Sequence, residues 1–71
     1  VVQDKKKAIQ LFTQAAEQGF ADAQHNLAIM YYIGEGVPAN KQIAQQWFTK
    51  AAEQGFTASQ FSLVELFPSG A

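Results

Sequence analysis

The sequence contains no cysteine. This rules out disulfides, a thiolate nucleophile and any metal site built on thiolates. The absence fits a reducing compartment such as the cytoplasm and is compatible with export. A single histidine, His25, is present, so a pair of imidazole ligands is excluded as well. Charge is scarce. Only 15% of residues are charged, five Lys and Arg stand against six Asp and Glu, and the formal net charge is -1. Without a basic excess there is no electrostatic footprint for nucleic acid or an anionic membrane surface. No apolar run approaches the ~20 residues needed to span a bilayer, so membrane insertion is not expected. The start, Val1-Val2-Gln3-Asp4-Lys5, reads as no signal peptide, because its basic cluster follows a short apolar pair and no hydrophobic stretch precedes a cleavage site.

What is present is apolar and amide-rich. Hydrophobic residues make up 48% of the 71, too many for a disordered polar tail. The length allows one small domain near the lower limit for a self-sufficient core. Glutamine takes the place of charge as surface polarity, at Gln10, Gln14, Gln18, Gln24, Gln42, Gln45, Gln46, Gln54 and Gln60.

The order of these residues is repetitive. Ala15-Ala16-Glu17-Gln18-Gly19-Phe20 recurs intact as Ala51-Ala52-Glu53-Gln54-Gly55-Phe56, an offset of 36 residues. At that offset fifteen of 35 pairs are identical, including Val1/Val37, Ala8/Ala44, Phe12/Phe48, Gln24/Gln60, Leu27/Leu63 and Gly34/Gly70. An internal duplication with such a period signals a solenoid. The units run over 1–36 and 37–71.

Each unit reads as two helices. Ala8, Leu11, Phe12, Ala15 and Ala16 fall at i, i+3, i+4, i+7 and i+8, one apolar stripe on a helix. Asp4 is placed to cap its start, and Gly19 to end it in a left-handed turn with Phe20 as the apolar partner that follows. The spacing predicts a second helix from about Asp22 to Ile33, with Ala23, Leu27, Met30 and Tyr31 inward. Gly34-Glu35-Gly36-Val37-Pro38-Ala39-Asn40 is a loop on steric grounds, and Asn40 takes the capping role of Asp4. The third helix repeats the stripe as Ile43, Ala44, Trp47, Phe48, Ala51 and Ala52, and Gly55-Phe56 repeats the stop. The fourth turns Ala58, Phe61, Leu63, Val64, Leu66 and Phe67 inward and ends at Pro68. The small Ala pairs allow close approach within a hairpin, while Leu11-Phe12 and Trp47-Phe48 fill the wider gap between hairpins.

These motifs, in this order, resemble the Sel-1-like repeats, relatives of the tetratricopeptide repeats. The carriers are Trp47-Phe48 with Ala51-Ala52-Glu53-Gln54-Gly55, then Ala23 to Tyr32 with Leu27 and Tyr31-Tyr32, then Gly34-Glu35-Gly36-Val37-Pro38. They cover essentially the whole chain. The 36-residue period exceeds the roughly 34 of ordinary tetratricopeptide units. Leu11 stands where Trp47 supplies an aromatic, Ser59 where an Ala is usual, and Val64-Glu65 where the first unit has Ala28-Ile29, so the terminal unit is the less standard one. The resemblance implies an all-α fold, an α/α solenoid of two helix-turn-helix repeats and four helices in a right-handed superhelix. It also implies protein recognition on a curved surface, as in adaptors of bacterial envelope and host-interaction systems and of protein quality control. First helices line the concave side of such folds.

Little chemistry is visible in the residues. His25 has no second imidazole or thiolate, its nearest carboxylate on the same helix side is Asp22, and it reads as a packing or surface residue. Asp4, Glu17, Asp22, Glu35, Glu53 and Glu65 are scattered, and Glu17/Glu53 recur because the unit is duplicated. Lys5-Lys6-Lys7 is the solvated face of a first turn. Gly34-Glu35-Gly36 follows a helix, lacks a third glycine and has no preceding strand, so it is no phosphate cradle. The aromatics have helically spaced apolar partners and read as core. No catalytic residue, cofactor site or metal site is expected.

The outward residues of the first helices are Gln10, Thr13, Gln14, Glu17 and Gln46, Thr49, Lys50, Glu53. Of these, Gln10, Gln14, Gln46 and Lys50 are the candidate contacts for a protein or peptide partner, because amides hydrogen-bond a peptide backbone without strong steering. The expected function is a non-catalytic interaction scaffold. Two alternatives stand beside it. One is a small repeat protein that self-associates through its uncapped ends, with Phe61, Leu66 and Phe67 near the C-terminus, or a stability segment of a larger bacterial envelope or host-interaction protein. The other is an enzyme, for which nothing here pairs a nucleophile with a base.

Overall fold

A computed structural model describes residues 4–68. Val1-Val2-Gln3, the Val1/Val37 pair and the Gly70 member of the Gly34/Gly70 pair therefore lie outside the described residues. Four helices follow one another: α1 (Lys5–Glu17), α2 (Ala21–Ile33), α3 (Lys41–Glu53) and α4 (Thr57–Leu66). Among the described residues there is no strand, as the all-α reading expects.

The helix ends are set by the residues named from sequence. The Asp4 carboxylate accepts from the Lys7 amide at 3.1 Å, and the Asn40 side-chain oxygen from the Ile43 amide at 3.0 Å. Each satisfies one of the amide donors a helix start leaves open. α1 ends with Gly19 N–H on Ala16 O at 3.0 Å and Phe20 N–H on Ala15 O at 3.3 Å; α3 ends with Gly55 N–H on Ala52 O at 2.9 Å and Phe56 N–H on Ala51 O at 3.2 Å. These are paired Schellman closures. α2 begins one residue earlier than expected. It and α4 have no side-chain cap; Phe20 and Phe56 stand at their N-cap positions.

Packing runs from neighbour to neighbour: α1 on α2, α2 most extensively on α3, and α3 on α4. The molecule is elongated, 41 × 23 × 18 Å, as a solenoid of helix pairs should be. Two apolar clusters hold it. Ile9, Ala16, Ala23 and Leu27 join α1 to α2, with Phe12, Met30 and Tyr31 against them. Ala28, Ala44 and Phe48 join α2 to α3, with Tyr32, Trp47, Leu63 and Phe67 around them.

The second stripe is found as expected: Ala44, Phe48 and Ala51 are fully buried. The first is not. Leu11 is 60% exposed, and Ile9, which falls outside the i, i+3, i+4 pattern, is buried instead. The physical reason is the neighbour. The face of α3 bearing Ala44 and Phe48 lies on α2, whereas among the described residues α1 packs on α2 alone and meets it through Ile9 and Ala16. In α4 the expected inward residues Phe61 and Val64 are 64% and 72% exposed, Ala58 and Leu66 are exposed too, and Ser59 is completely buried. Among the described residues nothing packs over Phe61 and Val64.

The loop between the units folds back over the first. Gly34 is left-handed (φ 80°) and caps α2, and the Asn40 amide donates to Tyr31 O at 2.8 Å. Gly36 (φ 82°) crosses the first turn of α1 so closely that a Cβ there would stand 2.9 Å from the Lys5 carbonyl oxygen. Lys5 also meets Glu35 at 3.2 Å, an exposed ion pair that contributes little.

Two outcomes are expected. Phe48→Ala should cost about 3–5 kcal/mol, the range for emptying a buried aromatic site, and Phe12→Ala clearly less, read from urea midpoints. Gly36→Ala should cost more than Gly19→Ala in the same assay. Both carry the left-handed penalty of about 1–2 kcal/mol, but Gly19 has open space around it and Gly36 does not.

Candidate partner-binding face

The polar side of α3 carries Gln42, Gln45, Gln46, Thr49, Lys50 and Glu53 at helical spacing, opposite the buried Ala44, Phe48 and Ala51. Together they line a shallow depression of about 550 Å³. Of the candidate contacts, Gln46 and Lys50 lie in it. Gln10 and Gln14 are exposed on α1 and do not line it. The hydroxyls of Thr13 and Thr49 are engaged by their own helices, donating to Ile9 O at 2.6 Å and Gln45 O at 2.8 Å. The amides of Gln42, Gln45 and Gln46 make no side-chain hydrogen bond among the described residues. They can donate and accept toward a partner. The Lys50 ammonium sits 5.7 Å from the Trp47 ring centroid, a cation–π distance that holds its stem along the rim of the depression.

Sequence reading missed a polar tie in the core. Gln24, taken for a surface residue, is only 5% exposed. Its Nε2 donates to Ala16 O at 3.1 Å, and its Oε1 accepts from Gln54 Nε2 at 3.0 Å. One side chain thus ties the end of α1 to α2 and α2 to the end of α3. Gln60 repeats the first bond, to Ala52 O at 3.2 Å. The signal was available: an identical amide in both units, next to the inward-facing Ala23. No buried side-chain polar atom among the described residues lacks a partner, as a sound core requires.

His25 is part of the same junction. Its Nδ1 shares a hydrogen bond with Ser59 Oγ at 2.7 Å. Its ring lies 5.3 Å from Phe48 and 5.2 Å from Phe56, centroid to centroid. Burial lowers its pKa below the ordinary histidine value, because the charged form loses hydration there. The Asp22 carboxylate is engaged by the Ala23 amide at 2.8 Å. Among the described residues no cluster of three carboxylates or imidazoles could hold a metal, and no helix is long and apolar enough to cross a membrane.

A second concavity, about 530 Å³ and mainly apolar, opens on α1 and the start of α2. Ala8, Leu11, Phe12, Ala15, Phe20 and Ala23 line it, with Asp22 and Asn26 at its edge.

Tandem helix pairs with neighbour-to-neighbour packing and an uncommitted amide face define a helical-repeat protein. The chain belongs to the Sel1 repeat family, whose model matches residues 1–20 and 21–56. The second match spans one period, cut so that α2 and α3 fall together. Among solved structures the chain is similar to a Sel1 repeat protein from Oxalobacter formigenes, at 39% identity and a TM-score of 0.88, over 93% of this chain and 26% of that one. It is also similar to a protective antigen of uropathogenic Escherichia coli strains that displays the same repeat fold, at 36% identity and a TM-score of 0.79, over 86% of this chain and 14% of that one. The chain thus spans 26% and 14% of the length of these bacterial proteins. No match was found among curated proteins. Sel1 repeats are protein-interaction scaffolds.

The lowered pKa of His25 gives a stability signature. Folding favours the neutral ring, so this contribution is fully present above the ordinary pKa of about 6.5 and is lost as pH falls through the depressed folded value. The melting temperature should fall as pH drops below the ordinary histidine value of about 6.5, and His25→Phe should flatten that slope. An unchanged slope in the variant would remove His25 as its source.

Proposed function

We propose that this chain is a non-catalytic protein-binding module, with units 1–36 and 37–71, that holds an extended segment of a partner protein along the outer face of its first helices. The observation that carries this reading is the depression on α3, where three uncommitted glutamine amides lie on one helix face with Lys50 and Glu53. Unpaired amides offer both donors and acceptors to a peptide backbone, and the two opposite charges give register more than affinity. Gln46 and Lys50 supply the central contacts, and Gln10 and Gln14 extend the same chemistry on the preceding repeat. The scarcity of charge suits recognition that does not depend on steering. A catalytic reading finds no support: the sole imidazole is engaged by Ser59 and two aromatic rings.

Affinity capture from native lysate tests the assignment, comparing the chain with a Gln14→Glu, Lys50→Glu variant of equal helix content. A specific protein retained by the parent should drop at least about tenfold with the variant, the effect of about 1.4 kcal/mol. Equal recovery by both would move recognition off this face.

A further inference from the structure

One side chain of the first unit reaches the second at three points. His25 of α2 shares a hydrogen bond with Ser59 of α4 at 2.7 Å. Its ring lies against Phe48 of α3 and against Phe56 in the turn that follows, at 5.3 and 5.2 Å between centroids.

We propose that His25 is a proton-operated latch between the two repeats: neutral, it holds α3 and α4 on α2, and protonated in mild acid it lets the second unit turn on the first while the helices stay intact. The device lies inside the chain and does not depend on the faces at either end.

The geometry makes the contact specific for the neutral ring. Ser59 is completely buried, and His25 is the one hydrogen-bond partner of its hydroxyl among the described residues. The hydroxyls of Thr13 and Thr49 are spent locally, on the carbonyl four residues back; that of Ser59 is turned across the junction. A buried O–H needs an acceptor, so the neutral ring presents a bare Nδ1 and carries its hydrogen on Nε2. A second proton goes to Nδ1 and makes it a donor. Then either the contact breaks, or Ser59 turns its hydrogen away with nothing to receive it, which is costly in a buried site.

Nothing charged faces the ring to offset that proton. On α2, the Asp22 carboxylate accepts from the Ala23 amide, and Tyr32, two turns on, is neutral in acid. On α3, the residues one turn either side of Phe48 are Ala44, Gln45, Ala51 and Ala52; Lys50 lies over Trp47, and Glu53 belongs to the outer depression. On α4, Glu65 is exposed and six residues beyond Ser59. The one ion pair among the described residues, Lys5 with Glu35, is elsewhere. Contact with phenyl rings returns only part of the hydration an imidazolium loses, and burial accordingly lowers the ring's pKa.

The chain itself shows the pair that would make such a contact blind to pH. At the equivalent positions, 36 residues on from His25 and 36 back from Ser59, stand Phe61 and Ala23. A ring and a small side chain are kept there, and both polar groups are gone. Polarity enters as a matched pair where the two units meet. One consequence rests on the faces of α1 and α3 proposed above for recognition: a segment held along both is released in acid as they swing apart. The measurement that follows does not rest on it.

The chain has no cysteine, so Lys6→Cys and Glu65→Cys place one spin label on an exposed site of each unit. Distances between the labels by double electron–electron resonance, from pH 7.5 to pH 5, test the latch, with the His25 ring followed by NMR and helix content by circular dichroism. A single narrow distribution is expected at pH 7.5. A second, broader component should grow as the ring takes its proton, its ratio to the first rising by up to about tenfold per pH unit, the limit for one proton. Helix content should hold. His25→Phe, Ser59→Ala, which installs the pair found at the equivalent positions, should keep the narrow distribution down to pH 5. His25→Gln serves if that variant does not fold, since it offers Ser59 an acceptor and takes no proton. Four results would overturn the proposal: a ring still neutral at pH 5, a protonated ring with unchanged distances, the same broadening in a variant that cannot titrate, or broadening that comes with loss of helix.

Discussion

Phe48 in its seat of alanines is the contact on which the rest of the molecule depends. Its side chain is fully buried between α2 and α3, with Ala28 and Ala44 beneath it and the rings of His25 and Phe67 at its edges. Burial of one such side chain supplies about 1.5–3 kcal/mol from apolar surface alone. Polar ties join the two halves beside it, His25 to Ser59 and Gln24 to Gln54, but Phe48 is the large apolar side chain sealed at their junction. The alanines matter as much as the ring, because only a side chain of that size lets the helix backbones close on it.

Around that contact the chain uses amides where other proteins of its size use charge. Gln24 spans three helices with one side chain, at a site where a charged group would need full desolvation. On the outer side of α3 the same residue type is left unengaged. One chemistry therefore serves cohesion in the core and recognition at the surface, and burial decides between them.

Much of the fold is legible in the residues. The six-residue duplication gives the period, Asp4 and Asn40 give the helix starts, and Gly19-Phe20 and Gly55-Phe56 give the stops down to their individual hydrogen bonds. What cannot be read is which copy of a repeated stripe has a neighbour. Phe12 and Phe48 occupy the same place in the repeat, yet only Phe48 is sealed, because burial belongs to the pair of helices and not to the stripe. The same gap explains Leu11, Phe61 and Val64, taken for interior, and Ile9, left out. Of the binding face, its polarity was legible from the outward positions. The depression confined to α3 was not, since it depends on how Gln42 and Gln45 flank Gln46 and Lys50, and on α1 the equivalent of Gln45 is the buried Ile9.

Neighbour-to-neighbour packing also sets how the chain acquires its structure. Its helices pack mainly on the next helix in the chain, so the loops that must close are of modest length and their entropy cost is limited. Chains of such low contact order fold quickly. A nucleus can form wherever one hairpin closes, and the next helix then adds to an existing surface. The molecule is in this sense assembled along its length, outward from whichever hairpin closes first.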